Sequence, residues 1–265
     1  MAIEKAYKNL NFLNSPAART IRMLCEYEEP RLRFRTFGVE NTIVMFGSAR
    51  CRSQETADKE LALAEQEANG SPESALRLDK AKKGVRLARY YEDARKIAHE
   101  LAVWGMQRKG KPFFVCSGGG PGIMEGANRG ASEVEGAKSV ALGISLAFEE
   151  KINPYATPDL SFEFHYFFMR KYWFMYLSKA MVVFPGGFGT MDELFELLTL
   201  RQTGKVKKPV PTVLHGKQFW DDVLNLQALV DWGTISEHDL QLFHRSDSVE
   251  DTVHYIVTEL EKDYP

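Results

Sequence analysis

The chain has 265 residues, of which 44% are hydrophobic, and its formal net charge at pH 7 is -2. A chain of this size and composition can bury one sizeable core, so we expect a single α/β domain. The nearly balanced charge argues against nucleic acid as a partner. The three cysteines, Cys25, Cys51 and Cys116, share no metal-site spacing, which favours the reducing cytoplasm. The sequence also lacks a signal-peptide pattern and any run of about 18 apolar residues, so neither secretion nor a membrane partner is expected.

The N-terminal region predicts a helix followed by an extended segment. A Ser-Pro pair is typical of a helix start, and the pattern predicts a helix over residues 17–27 that ends near Pro30. Residues 31–37 alternate basic and apolar side chains, which predicts an extended arm. We therefore expect residues 1–40 to pack as a helix and an arm on the main domain, residues 41–265.

Beyond residue 41, apolar runs alternate with helical patterns. This alternation predicts a Rossmann-like, doubly wound parallel sheet with extra N-terminal helices. The predicted helix over residues 166–179 is aromatic on nearly every side, which indicates burial in the fold or in a subunit interface. The second possibility predicts a homodimer or a larger homo-oligomer. The predicted strands are residues 42–46, 111–116, 139–144, 160–164, 180–184 and 210–214.

Three predicted strands run directly into loops that contain glycine. Gly47-Ser48 follows the first strand, SGGGPG (117–122) follows the second, and PGGFGT (185–190) follows the fifth. Backbone N–H groups in such turns, together with the start of a helix, bind anions. Loops at the carboxyl ends of parallel strands also form the ligand crevice. The pattern therefore predicts a bound nucleotide, with Gly47, Ser48, Gly118, Gly119, Gly120, Gly186, Gly187, Gly189 and Thr190 as candidate contacts.

Several other site types have no signal in the sequence. The six histidines form no HxxxH or HExxH pair, so no metal is expected. There is no GxSxG nucleophile elbow. Neither glycine loop matches the dinucleotide fingerprint or the P-loop, which disfavours a redox enzyme or an NTPase.

Two charged residues beside these loops have competing interpretations. Arg170 lies within the aromatic stripe of the predicted helix, where a guanidinium is costly unless it meets a carboxylate or an anionic ligand, or reaches water. Thr190 and Glu193 match a capping box, in which the glutamate only bonds backbone. Alternatively, the Glu193 carboxylate performs chemistry at the anion loop. Spacing does not separate these possibilities.

Taken together, these segments resemble the Lonely Guy (LOG) family of nucleoside 5'-monophosphate phosphoribohydrolases, formerly described as lysine-decarboxylase-like. The resemblance spans residues 42–214 and rests on PGGFGTMDE (185–193), on the Arg170-Lys171 pair, and on GGGPGIM (118–124). It implies that Arg170 and Glu193 are catalytic and that Lys171 belongs to the nucleotide site. It also implies a phosphate-binding turn made by Gly186, Gly187, Gly189 and Thr190.

The resemblance implies hydrolysis of AMP or a cytokinin riboside monophosphate to free base and ribose 5-phosphate, without a metal or organic cofactor. In that reaction an ionised Glu193 would stabilise the oxocarbenium-like ribose and orient water, while Arg170 would keep Glu193 ionised. Asp192 stands where the family often has glutamate. Residues 1–40 and 56–108 have no counterpart in short members, which implies a longer subtype.

Two alternatives to this reaction stay open from the sequence. A non-catalytic nucleotide-binding or sensing module of Rossmann-like fold would bind the nucleotide without releasing its base. Lysine decarboxylation, implied by the older family description, requires pyridoxal phosphate, and the sequence signals no site for it.

Overall fold

The computed structural model of the chain describes residues 3–108, 110–146 and 151–264. One sheet is built from β1 (Asn41–Phe46), β2 (Phe113–Ser117), β3 (Ser139–Ile144), β4 (Ser161–Phe164), β5 (Ser178–Val183), β6 (Thr212–His215) and β7 (His244–Ser246). Its strands are all parallel, in the order β4-β3-β2-β1-β5-β6-β7. The predicted Rossmann-like α/β fold is confirmed.

Helices cover both faces of this sheet. They are α1 (Leu10–Leu13), α2 (Arg19–Thr36), α3 (Gln54–Gln66), α4 (Pro72–Gln107), α5 (Ile123–Ser132), α6 (Phe167–Leu177), α7 (Phe188–Gln202), α8 (Lys217–Val223), α9 (Leu226–Asp231) and α10 (Val249–Asp263). In the described part of the chain, no helix combines the length and the apolarity needed to cross a bilayer.

The central strand β1 shows why the sequence forms a buried parallel sheet. Ile43 and Met45 pack into the core beneath α4, α5 and α10, whereas Val44 and Phe46 pack into the core beneath α2, α6 and α7. Because both faces are covered, every position of the strand is buried. In the sequence, such strands appear as continuous apolar runs rather than as alternating patterns, and the strands were predicted from these runs.

The strand order reverses between β1 and β5. Strands β1 to β4 extend toward one edge of the sheet and β5 to β7 toward the other. At this point the backbone N–H of Ser48 donates to the Pro185 carbonyl (3.0 Å), and that of Phe184 donates to Phe46 (2.8 Å). In open α/β sheets, ligands bind outside the carboxyl ends of the strands at such a reversal.

The N-terminal segment differs from the sequence prediction. Helix α2 continues through Pro30 to Thr36, so the helix end near Pro30 and the extended arm over residues 31–37 were wrong. Proline has no N–H to donate to the carbonyl four residues earlier. The indole N–H of Trp173 donates to that Glu26 carbonyl at 3.0 Å instead. The partner lies on α6, so no local pattern could reveal it.

Helix α2 packs closely on β4 and α6. The Glu26 carboxylate accepts hydrogen bonds from the backbone N–H groups of His165 (2.8 Å) and Tyr166 (3.2 Å), where α6 begins. The Arg33 guanidinium donates to the Ser161 carbonyl at 2.8 Å. These contacts fix the start of α6, the helix that carries Arg170. The division of the chain at residue 40 stays a prediction.

We expect Trp173→Phe to lower the free energy of unfolding by about 1–3 kcal/mol, because the partly buried Glu26 carbonyl loses its donor. Pro30→Ala restores a backbone N–H opposite that carbonyl, so it should stabilise the Trp173→Phe protein more than it stabilises the wild type. Denaturant unfolding of the four proteins measures the difference. Equal effects of Pro30→Ala in both backgrounds would contradict this account of the helix.

Candidate functional site

The glycine loops meet around a cavity of about 820 Å³ at the carboxyl edge of the sheet. It lies where the strand order reverses, between the ends of β1 and β5. Two of the predicted site residues, Gly119 and Lys171, lie outside its lining. The predicted residues that do line it are Gly47, Ser48, Gly118, Gly120, Arg170, Gly186, Gly187, Gly189, Thr190 and Glu193.

The turn after β5 presents the start of α7 to the cavity. Gly187 is the N-cap residue, and no side chain caps the helix. The backbone N–H of Met191 makes the first helical bond, to the Gly187 carbonyl, so the preceding N–H groups of the first turn have no helical partner. A methyl group on Gly186 would overlap the Thr190 side chain, whereas one on Gly189 would meet only open space. The turn therefore packs tightly against Thr190 at Gly186 and is open to an anionic ligand at Gly189.

Glu193 does not cap this helix. Since α7 begins at Phe188, Thr190 is already helical, and the capping-box interpretation of Thr190 and Glu193 is wrong. Glu193 is only 4% exposed, and its Oε2 is buried with no hydrogen-bond partner among the described residues. Burial raises the pKa of Glu193 to about 7, although Lys171 and Arg170 favour the ionised form. An unsatisfied buried carboxylate that lines a cavity is typical of a functional group.

The Arg170 side chain extends from α6 across the floor of the cavity. Its Nε donates to the Leu142 carbonyl at 2.7 Å, and its guanidinium lies 5.2 Å from the centre of the Phe174 ring. A Cβ atom on Gly118 would come within 2.5 Å of its Nη2. Burial lowers the pKa of Arg170, while Glu193 opposes that shift. Arg170 forms no ion pair with a carboxylate in the part of the chain that the structure describes, so its charge is left for an anionic ligand.

Lys171 makes a different set of contacts. Its Nζ lies 2.8 Å from Asp192 Oδ2 and 2.5 Å from Glu196 Oε2. These ion pairs join α6 to α7, the two helices that carry Arg170 and Glu193. The structure therefore places Lys171 behind the catalytic candidates rather than in the cavity. Its partner Asp192 is the residue at which the motif departs from the family's usual glutamate.

The loop after β2 is held by a buried side chain. Asn153 Nδ2 donates to the carbonyls of Gly119 (3.0 Å) and Gly120 (3.2 Å). Gly119 has a φ of 75°, which explains the glycine there. Gly122, with a φ of 72°, packs against the Ser48 carbonyl so closely that a Cβ atom would overlap it. The loops after β1 and β2 therefore support each other.

The cavity has further lining residues that the sequence interpretation missed. Arg50 follows β1, and Glu163 lies in β4, so the rule that ligands bind at carboxyl ends of strands could have found both. Val223, the last residue of α8, and Leu224, which follows it, had no such signal. The remaining residues are Phe46, Ala49, Met124, Gly143, Ile144, Leu146, Lys151, Ile152, Phe167, Phe188, Met191 and Asp192. Within residues 3–108, 110–146 and 151–264, no three His, Cys, Asp or Glu side chains gather as a metal site would require.

Comparison with known proteins gives a family match and similarities to solved structures. A solved structure, the molybdenum cofactor binding protein from the phototrophic bacterium Rippkaea orientalis, is 14% identical, with a TM-score of 0.46 over 83% of this chain and 95% of that chain. A search of curated proteins gave no match. The family model described as "Possible lysine decarboxylase" matches residues 124–256. Since this match spans half of the chain and includes the turn at 185–190, the chain belongs to that family, the LOG family.

Proposed function

We propose that the protein hydrolyses the N-glycosidic bond of a nucleoside 5'-monophosphate, AMP or a cytokinin riboside monophosphate, to free base and ribose 5-phosphate. One observation carries the proposal: Glu193 lines the cavity beside Arg170 and the start of α7, and its buried Oε2 has no hydrogen-bond partner among the described residues. Membership of the LOG family supports the same reaction class.

The 5'-phosphate occupies the turn after β5. The free N–H groups at the start of α7 and the helix dipole favour an anion there, and Gly187 and Gly189 leave room for it. Arg50 lines the same cavity from the loop after β1 and supplies a cationic side chain. Binding the phosphate at this point positions the rest of the substrate, so the phosphate contributes to the rate as well as to affinity.

Glu193 then lies where it can act on the ribose. As the bond between C1' and the base nitrogen breaks, its electron pair leaves with the base and positive charge develops on the ribose ring. Ionised Glu193 stabilises that charge and takes a proton from the water whose oxygen bonds to C1'. A pKa of about 7 suits a general base at neutral pH. The proton that Glu193 accepted passes through solvent to the departing base, which completes hydrolysis and returns Glu193 to its ionised form.

Arg170 holds the reacting end of the substrate. Its bond to the Leu142 carbonyl and its contact with Gly118 fix the guanidinium between α6 and the loop after β2. From there it contacts the ribose or the phosphate and favours the ionised form of Glu193. A fixed cation in a desolvated site stabilises charge more effectively than a mobile one in water.

A panel of nucleoside monophosphates and the matching nucleosides tests the proposal, with released base followed by chromatography. We expect base release from AMP and at least about 100-fold slower release from adenosine, because adenosine lacks the positioning phosphate. Incubation with lysine should give no amine product. Equal rates for AMP and adenosine would contradict the assignment of the turn after β5 to phosphate.

We further propose that the protein forms a homodimer or a larger homo-oligomer. Phe168, Tyr172 and Tyr176 recur at helical spacing on α6 and are 53%, 37% and 59% exposed. Exposed aromatic stripes of this kind mark protein contacts. A solution mass equal to one chain at high concentration would reject this assembly.

We also infer a cytoplasmic location. The cysteines of the described chain, Cys25, Cys51 and Cys116, are all free thiols, and unpaired cysteines are typical of a reducing compartment.

A further inference from the structure

The cavity extends well beyond the proposed phosphate turn. Its lining includes Glu163 and Phe167 at the edge of the sheet formed by β3 and β4. Neighbouring strands are about 4.8 Å apart, so β4 lies about 19 Å from β5, whose turn holds the phosphate. The cavity therefore lets the substrate extend along the strand ends from the phosphate turn toward β4. One end of the substrate therefore reaches residues to which the proposed reaction assigns no role.

At the end of the cavity beside β3 and β4, the Glu163 side chain is held through one of its two carboxylate oxygens. In the sheet it pairs with Gly143 of β3, which has no side chain to cover it. The Ser145 hydroxyl donates to Glu163 Oε1 at 2.7 Å. No cation of the described chain forms an ion pair with Glu163, and its Oε2 accepts no hydrogen bond from those residues. The carboxylate is thus oriented by Ser145 and offers a free acceptor to the cavity.

The phosphate and the ribose occupy the other parts of the cavity, so the base lies at the end beside β3 and β4. The phosphate lies at the start of α7, and the ribose lies beside Arg170 and Glu193. Arg170 bonds the Leu142 carbonyl, the residue directly before Gly143, so the ribose already lies next to β3. The base continues toward Phe167, whose side chain lines this end and is 53% exposed as a residue. An exposed aromatic ring in a cavity is a stacking surface for a base.

We propose that Glu163 selects the base by accepting a hydrogen bond from its exocyclic amino group while Phe167 stacks on the ring. This inference rests on the proposed function and assigns recognition of its amino-bearing base to these two residues. An ionised carboxylate only accepts hydrogen bonds. It therefore pairs with the amino group of adenine, including one that carries a single substituent, and repels the carbonyl oxygen that hypoxanthine has at the same position.

Selectivity between AMP and IMP tests the proposal. We expect the wild type to prefer AMP over IMP by about 10- to 100-fold in kcat/KM, the effect of one hydrogen bond to a charged acceptor. In Glu163→Gln, the side-chain amide can donate as well as accept, so the preference should fall below about threefold. Glu237→Gln, at an exposed position whose side chain has no partner among the described residues, is the matched control and should keep the wild-type preference.

A binding experiment keeps the test independent of catalysis. The dissociation constants of AMP and IMP are measured by calorimetry in Glu193→Gln, with and without Glu163→Gln. We expect the same loss of preference in these constants. An AMP preference that survives Glu163→Gln overturns the role of Glu163 but leaves the proposed reaction standing. Absence of base release in the wild type, with a preference that Glu163→Gln removes, overturns the reaction alone. Absence of binding to either nucleotide overturns both.

Discussion

Glu193→Gln should reduce base release from AMP by about 10²- to 10⁴-fold, the usual contribution of a general base. Glutamine has nearly the same shape as glutamate, so the cavity keeps its form while losing the negative charge and the proton acceptor. In the wild type the rate should rise with pH and level off above pH 7, because Glu193, with a pKa of about 7, must be ionised to act. A rate that falls as pH rises through 7 would instead assign Glu193 the role of a general acid.

The same substitution should stabilise the fold at high pH. The pKa of Glu193 is about 7 in the folded protein, against an ordinary value of 4.5. Between these values the folded state binds more protons than the unfolded state, so the free energy of unfolding falls as pH rises from about 4.5 to 7. The loss is complete above pH 7 and amounts to about 3 kcal/mol. Since glutamine does not titrate, Glu193→Gln avoids this loss.

Denaturant unfolding at pH 5 and at pH 8 measures the effect on stability. The variant and the wild type should differ little at pH 5, and the variant should be more stable at pH 8. This readout is independent of any assay for base release, so it tests the buried, unpartnered state of Glu193 alone. A variant that is less stable than the wild type at pH 8 would show that the carboxylate has a partner in solution.

Gly122→Ala should destabilise the protein by several kcal/mol and remove the nucleotide site. Two effects add at this position. Gly122 combines a φ of 72° with a ψ of −131°, a conformation that costs a residue with a Cβ atom about 1–3 kcal/mol. The new Cβ would also overlap the Ser48 carbonyl and approach the Ala49 backbone, which has no flexible end to move aside. Relief of this overlap requires the loops after β1 and β2 to separate.

Gly70→Ala carries only the first of these effects, the conformational one. Gly70 has a φ of 77°, close to that of Gly122, but a Cβ atom there would meet nothing within 4 Å. We therefore expect Gly70→Ala to cost only the conformational part, about 1–2 kcal/mol, and to leave nucleotide binding unchanged. Thermal unfolding and calorimetric AMP binding compare the two variants. Equal losses of stability would mean that the contact between the two loops contributes nothing.

Local pattern was enough to predict six of the seven described strands and the glycine loops, whereas β7 was not predicted. Strands such as β1 are buried on both faces and appear as apolar runs, and the glycines directly follow them. The path of α2 could not be predicted, because the hydrogen bond that tolerates Pro30 comes from Trp173, a residue distant in sequence. Proline usually ends or kinks a helix, but a hydrogen bond from a residue distant in sequence can allow the helix to continue.

The candidate site was predictable in part for a similar reason. The segment from Thr190 to Glu193 has the same sequence pattern whether the helix begins at Phe188 or three residues later, so only the structure separates a cap from a residue facing the cavity. Lys171 follows Arg170 directly, and adjacent residues on a helix point in different directions. This is why one of them lines the cavity and the other pairs with Asp192 and Glu196.

Incubation of the purified protein with AMP, with adenine and ribose 5-phosphate quantified together, tests the central proposal most directly. The account predicts equal amounts of the two products from the wild type and almost none from Glu193→Gln, although both proteins bind AMP. Tight binding of AMP by the wild type without release of adenine would contradict the account and would identify a nucleotide-binding module instead of an enzyme.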